Sequence, residues 1–446
     1  MTRASVGAGG GGGGGGGGVS LKAVVLDNGA GWCKAGVAGS ENPEALVPNC
    51  VARPHSGKQR WLVADQVLAC DELQRLGIRR PADRGYLIAS ELQKEIWERI
   101  FRTLLKIRPS ETSLLLIEPP FTLPSIQKLT DELIFEEFGF RSLFVADPAS
   151  MTHHYLQHRN PDSDLARSRC SLIVDSGFSF THTSPVVYNV TCNAAVKRID
   201  LGGKALTNYL KELVSYRTLN MMDEQWIMED VKEKLCYCSL DVASDMNIAR
   251  KVGAENYIRC NYILPDGLHF KRGIVKNPDV VPLAYRHLSL PESTNTPKSQ
   301  GDMPMAKDEK VTVPNAQELT VTNERFLVPE MLFHPADLGM NQAGIAECIV
   351  RAVSACHRDL QPLLYKSVVL TGGTTKLPGF KERLELELRP MVPAEYDLKV
   401  HALDNPIVAP WRGGSLFASS EEFESCSITK GLHTKWQHFG HANKNG

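Results

Sequence analysis

An α/β fold made of two similar halves is what this sequence predicts, and three observations predict it. Ala23-Val24-Val25-Leu26 is an apolar strand that runs into Asp27-Asn28-Gly29. Ser171-Leu172-Ile173-Val174 runs in the same way into Asp175-Ser176-Gly177, about one domain's length further on. A third strand, Ser367-Val368-Val369-Leu370, ends in Thr371-Gly372-Gly373-Thr374. Glycine at such turns lets backbone N–H groups approach a ligand closely, because no Cβ stands in the way. An aspartate at the strand's end can hold a hydrated metal ion beside a phosphate chain. Two halves facing each other across a nucleotide cleft is therefore the first expectation.

The elements follow in order. The first nineteen residues are a low-complexity glycine tract that cannot bury a core, so disorder is expected there and order from near Leu21. Trp32-Cys33-Lys34-Ala35-Gly36-Val37 alternates like the return strand of a hairpin, which puts Lys34 where it can reach back to the Asp27 turn. Leu92, Ile96, Ile100 and Leu104 recur at helical spacing between Glu91 and Leu105. Ser113 to Ile117 reads as a short buried strand stopped by Pro119-Pro120. From Gly344, the residues Ile345, Cys348, Ile349, Ala352, Val353 and Cys356 share one helical face. Another helix is expected from Phe380 to Leu388. Strands alternating with helices give an α/β class with mixed sheets. Ser289 to Gln317 breaks the pattern with scattered prolines among Ser, Thr, Asn, Lys and Asp, as expected of a surface loop or a docking arm.

Composition bounds the function. The 446 residues, 42% hydrophobic and 23% charged, suit two or three globular domains. A net charge of −1 gives no global field for nucleic acid or membrane, so any DNA contact must come from a local patch or a partner. No apolar run approaches the roughly 18 residues of a membrane span, and glycine from Gly9 to Gly18 does not resemble a signal peptide. Eleven cysteines without C-x-x-C spacing argue for reduced thiols in an intracellular protein. Cys236 and Cys238 read as packing on a helical pattern rather than as a metal site. Asn189-Val190-Thr191 fits the glycosylation pattern but is expected to be idle without a secretory signal.

At this point the motifs become specific. Leu26-Asp27-Asn28-Gly29-Ala30-Gly31-Trp32-Cys33-Lys34-Ala35-Gly36 resembles the first phosphate loop of the actin family, and Asp175-Ser176-Gly177 with Thr181-His182-Thr183 resembles the second. Val231 to Tyr237, Asn323-Glu324-Arg325-Phe326 with Pro329-Glu330, Leu370 to Thr375 with Pro378-Gly379, and Trp411-Arg412-Gly413-Gly414-Ser415 follow in family order. The resemblance spans nearly the whole chain and implies the actin fold, shared with hexokinase and heat-shock-70 ATPases. That fold has two duplicated halves, each split in two, giving four subdomains around a central nucleotide cleft. The implied division is a glycine-rich tail (1–19), a first half (20–168) with a shortened small subdomain (54–85), and a second half (169–408) carrying the insertion (289–317). Residues 409–430 would return to the first half, and 431–446 form a divergent tail with His433, His438 and His441 expected to be solvated.

The resemblance also implies a site. Asp27, Gly29, Gly31 and Lys34 match the first phosphate loop and its phosphate-reaching lysine; Asp175 and Gly177 match the second, where the aspartate orients metal-bound water. Lys232 and Glu233 match the adenine and ribose contacts, with Gly372 and Gly373 beside them. ATP or ADP with magnesium is the implied ligand, held for structure. The departures fall on the chemistry. Ala30 removes a hydroxyl and one phosphate hydrogen bond, worth about 1 kcal/mol. Phe178 and Ser179 replace an acid and a glycine of the second loop, and Phe178 cannot coordinate a hydrated cation. Pro148 stands where the water-positioning glutamine is expected, and Ile407 at the family's lysine position near the adenine. Phosphoryl transfer depends on positioning and electrostatics, so binding without hydrolysis is expected and no residue is assigned a catalytic role.

The short Arg53–Gly85 region, the long insertion and Phe178 together resemble a nuclear actin-related branch of the family. That branch implies a structural subunit of an ATP-dependent remodeller that exchanges a variant histone into nucleosomes and so regulates transcription. The implied partners are a motor subunit, a small zinc-containing subunit, and nucleosomal DNA and histones reached through the complex. The implied compartment is the nucleus, with the cytoplasm second; no membrane contact and no filament self-assembly are expected. Two other classes stay open. A working actin-fold ATPase predicts metal-dependent phosphate release, and a cytoskeletal filament-binding relative predicts co-sedimentation with actin filaments.

Overall fold

A computed structural model describes residues 23–55, 61–71, 73–159, 163–267, 270–276 and 316–432. The glycine tract, most of the polar insertion and the histidine-bearing tail lie outside the described residues.

Two six-stranded sheets organise the chain, and they share a plan. In the first, Ala23–Asn28 pairs antiparallel with Trp32–Val37 on one side and parallel with Ser113–Ile117 on the other, which is in turn parallel to Ser142–Ala146. In the second, Cys170–Ser176 pairs antiparallel with Thr181–Val187 and parallel with Val368–Thr371, which is parallel to Val400–Ala402. The central strands are apolar on both faces, as strands covered on both sides must be. Val24, Val25, Leu26, Leu172, Ile173 and Val174 are all fully buried. Both aspartate turns therefore end a central strand at its carboxyl end, where open α/β sheets bind ligands.

Helices cover the sheets. Ser90–Glu98 carries Ile96 and Trp97 inward and continues as a wider turn over Arg99–Leu104 that buries Ile100 and Phe101. Ile345–Ser354 buries Ile345, Cys348, Ile349, Ala352 and Val353, the face read from the sequence, while Cys356 falls past its end. Phe380–Leu388 is helical over the expected span. Ala409–Ala418 packs back onto the first sheet: the Trp411 indole N–H donates to the Val25 carbonyl at 3.1 Å. Gly413 lies so close to the helix Pro148–Arg159 that a Cβ there would stand 1.7 Å from the Met151 carbonyl oxygen, and Ile428–Thr429 then adds to the first sheet's edge.

Two smaller sheets flank the cleft. Val51–Arg53 lies between Leu62–Val63 and Gly77–Arg79. Cys260–Ile263 lies between Ile274–Val275 and Glu318–Val321, so the strands that precede and follow the polar insertion are the two edges of this sheet. One reading is corrected: Cys236 and Cys238 are not on a helix. The helix Gln225–Leu235 ends just before them, and both thiols are buried in extended chain, where desolvation pushes their ionisation up.

Candidate nucleotide cleft

The first loop is held by a buried amide network. Asn28 Oδ1 accepts from Trp97 Nε1 at 3.1 Å and from Asn49 Nδ2 at 3.3 Å, and Asn28 Nδ2 donates to Gln93 Oε1 at 3.1 Å. Asn49 Nδ2 also donates to the Gly29 carbonyl at 3.0 Å, and the Asn49 backbone N–H to the Gly31 carbonyl at 2.9 Å. Such networks fix geometry when every member is satisfied. The antiparallel register places Lys34 opposite Asp27, and the ammonium meets Asp27 Oδ2 at 3.0 Å. Gly29 is required by close approach, since a Cβ there would stand 2.7 Å from the Trp32 carbonyl oxygen.

The second loop closes on itself: the Gly177 N–H donates to the Phe180 carbonyl at 3.0 Å. The Gly177 carbonyl accepts from the Gly203 N–H at 2.9 Å and from Thr374 Oγ1 at 2.9 Å. Gly372, at φ +88°, brings the third turn against this loop, where a Cβ would stand 2.3 Å from the Ser176 carbonyl oxygen and 2.7 Å from Asp175 Oδ1. Asp175 is thus pinned at the base of the cleft. Burial, and then the nearby Asp27 charge, raise its pKa to about 6, with Lys34 opposing.

One cavity of about 710 Å³ gathers all of the residues that the sequence singled out. Asp27, Gly29, Gly31 and Lys34 form one wall, with Asp175 and Gly177 on the facing one; Lys232, Glu233, Gly372 and Gly373 close the far end. The departures Ala30, Pro148, Phe178 and Ile407 line the same cavity. Lys232 is buried, and its ammonium already donates to the Gly203 carbonyl and to Thr207 Oγ1, both at 3.0 Å, which leaves one donor for a ligand. Burial raises the Glu233 carboxyl above its ordinary range, with the Lys232 charge opposing.

Pro148 has a structural rationale. It opens the helix Pro148–Arg159, whose N–H groups at Ala149 and Ser150 are capped by Asp147 Oδ1 at 3.0 and 2.9 Å. Proline suits the first helical position, where its missing N–H is not needed.

Sequence reasoning missed the group around Phe178. Its ring rests on Gly31, where a Cβ would approach to 2.9 Å, so the two loops touch across the cleft. The Arg80 guanidinium stacks on that ring at 4.4 Å, donates to the Gly31 carbonyl at 3.0 Å, and pairs with Glu229 at 3.3 Å. Nothing local in sequence links residues 31, 80, 178 and 229; only the fold brings them together. Gln74, Lys204 and Arg198 add further bridges between the small subdomain and the second half, through the Pro265 carbonyl, Asp83 and the Tyr86 hydroxyl at 2.7, 2.8 and 3.0 Å.

The residues present fit a nucleotide. Glycine-lined turns admit a phosphate chain, Lys34 faces it, and two carboxylates stand where a hydrated cation would relieve their mutual repulsion. Comparison with known proteins gives the family. The sequence model of the family described as Actin matches residues 18–438. A protein of Oryza sativa subsp. indica named actin-related protein 6 is 56% identical over 411 residues, covering 91% of this chain and 94% of its own. The Arabidopsis thaliana protein of that name is 53% identical over 409 residues, covering 91% and 95%. The Dictyostelium discoideum protein of that name is 33% identical over 447 residues, covering 92% and 91%.

Proposed function

The chain belongs to the actin family, and from that premise we propose that it is a structural actin-related subunit that holds a nucleotide without hydrolysing it. The observation that carries this reading is one cavity lined by Lys34 and the glycine turns and also by Ala30, Phe178 and Pro148, where the family resemblance implies a hydroxyl, an acid and a glutamine. Lys34 and the glycine turns remain, while Phe178 and Pro148 occupy positions that would have to order a cation and an attacking water. Neither side chain can donate, accept or coordinate. When bound, the nucleotide supplies charge and contacts that tie the halves together. Backbone around Gly29, Gly31 and Gly177 with Lys34 would face the phosphates; Lys232, Glu233, Gly372 and Gly373 would face the base and ribose. Asp27 and Asp175 would face a hydrated magnesium ion. Binding to the folded state alone stabilises it by mass action.

The wider role proposed is in an ATP-dependent chromatin remodeller that exchanges a variant histone, acting in the nucleus to regulate transcription. Motif resemblance to the nuclear actin-related branch and kinship with proteins named actin-related protein 6 support it. The motor would be another chain, and a small zinc-containing subunit, histones and nucleosomal DNA would be met through the complex. Two measurements test the proposal. Purified chain given magnesium and ATP should release no phosphate above a mock preparation, and sustained metal-dependent release would overturn the non-catalytic reading. Affinity purification from nuclear extract should recover a large remodeller motor and a zinc-containing small subunit; recovery of cytoskeletal proteins alone would overturn the remodeller role.

A further inference from the structure

The small sheet beside the cleft carries a second site. Gly77–Arg79 is an edge strand, paired among the described residues on its Val51–Arg53 side only. The register sets Arg53 opposite Gly77 and Val51 opposite Arg79, so Arg53, Gly77 and Arg79 share one face. Gly77 lacks a side chain, and the hollow it leaves is the floor of a cavity of about 420 Å³, rimmed by Arg53, His55, Arg75 and Arg79 with Trp61 as a wall. The Arg79 guanidinium lies over the exposed Trp61 ring at 5.0 Å, which orients its planar fork. Arg53, Arg75 and Arg79 are exposed and, among the described residues, no carboxylate pairs with their guanidinium groups; the Arg75 backbone N–H donates to Glu224 Oε2 at 2.9 Å. Such a cluster stands out in a chain whose net charge is −1.

Beyond the edge lies a trough of about 770 Å³. Arg75, Gly77 and Ile78 form its near wall, and Lys204, Met222 and Gln225 stand across it. Of its acids, Asp83 is paired with Lys204 at 2.8 Å, and Asp223 lines the trough opposite the arginines. The edge strand offers main-chain groups to the trough, and the arginine hollow offers paired donors suited to carboxylates.

We propose that this edge binds an extended acidic segment of a partner protein, which adds as a strand alongside Gly77–Arg79 and seats a carboxylate in the hollow over Gly77. Asp223 on the far wall disfavours the opposite facing, so the segment's acids point toward Arg53, Arg75 and Arg79. Duplex DNA fits less well. A three-residue strand runs only about 10 Å, whereas duplex affinity accumulates over many phosphates along an open face. The inference stands apart from the nucleotide cleft and does not rest on the remodeller role.

Fluorescence anisotropy with the full-length chain tests it, using a labelled peptide of alternating valine and glutamate beside a labelled short DNA duplex. The valine–glutamate peptide should bind, and its valine–lysine counterpart should not. Arg53→Ala with Arg79→Ala should weaken binding about tenfold or more. Gly77→Val should weaken it comparably with charge unchanged, because the hollow is filled; the nearest atom to a Cβ there is the Arg53 carbonyl oxygen at 3.4 Å, so the variant should fold. Circular dichroism and thermal melting check that it does. Absence of peptide binding, binding indifferent to these variants, or a duplex that binds more tightly and is lost with the arginines would each overturn the proposal; the last would mark a phosphodiester surface.

Discussion

The turns at Asp27 and Asp175 hold the same place in two sheets of the same plan, but their electrostatics differ. Opposite Asp27 stands Lys34, in contact with it at 3.0 Å. Opposite Asp175 stands His182, whose two ring nitrogens are buried without a hydrogen-bond partner among the described residues and whose ring packs 4.4 Å from Phe180 and 5.9 Å from Phe121. Burial, with Arg198 nearby, holds that imidazole neutral, its pKa lowered to about 3. The second loop therefore has a carboxylate but no counter-charge on its own hairpin; the Lys34 charge of the first loop only partly opposes the rise in the Asp175 pKa. The first turn pairs its acid with a lysine at the cleft; the second is built to pack, with Phe178 against Gly31 and Arg80. A duplicated backbone fixes where the two turns lie, while side-chain choice decides what each can do.

The largest expected effect tests the backbone that the turns share. Gly372→Ala places a Cβ within 2.3 Å of the Ser176 carbonyl at a φ of +88°, and should destabilise the chain by about 3 kcal/mol or more. Urea denaturation measures it; a loss below about 1 kcal/mol would mean that the third turn does not brace the Asp175 loop. Lys34→Met comes next, because it leaves Asp27 and Asp175 facing each other without a cation. A loss of about 2 kcal/mol at pH 8 is expected, shrinking toward pH 5 as Asp175 takes up a proton. A pH-independent loss would show that Lys34 serves only one of the two acids.

Asp175→Asn should act in the opposite direction. The folded-state pKa lies near 6, above the unfolded 3.8, so the protonated form stabilises the fold fully below 3.8 and that contribution is gone above about 6. In nucleotide-free protein the variant should therefore gain about 1–3 kcal/mol at pH 8 and nothing below pH 4. Melting temperatures across that range measure it. The smallest effect falls on His182. Its depressed pKa means that stability is intact above 6.5 and declines as pH falls from there toward about 3. His182→Phe should remove that decline and gain about 1 kcal/mol at pH 7.5 by deleting unpartnered nitrogens. A destabilised variant would instead point to a polar role for the ring.

Much of this was legible in the sequence. Apolar runs ending in aspartate and glycine marked both central strands, and alternation after Gly29 placed Lys34 within reach of Asp27. Cys236 and Cys238 pack in the core as read, but not on a helix, because apolar residues in a short extended segment look like the continuation of the helix before them. The bracing of Asn28 by Asn49, Gln93 and Trp97, that of Gly29 and Gly31 by Asn49, and the Arg80–Phe178 contact carry no local pattern.

Sequence alone determined the strands and the glycine turns, because these depend on residue identity and short-range periodicity, and the resemblance to the family marked Phe178 and Pro148 as departures. Tertiary structure alone decided that Asp27 and Asp175 line one cleft with Lys34, that His182 finds no hydrogen-bond partner among the described residues, and that Phe178 is clasped by Arg80, itself paired with Glu229. Those outcomes depend on distances between residues far apart in the chain, which only the packing of the two sheets sets.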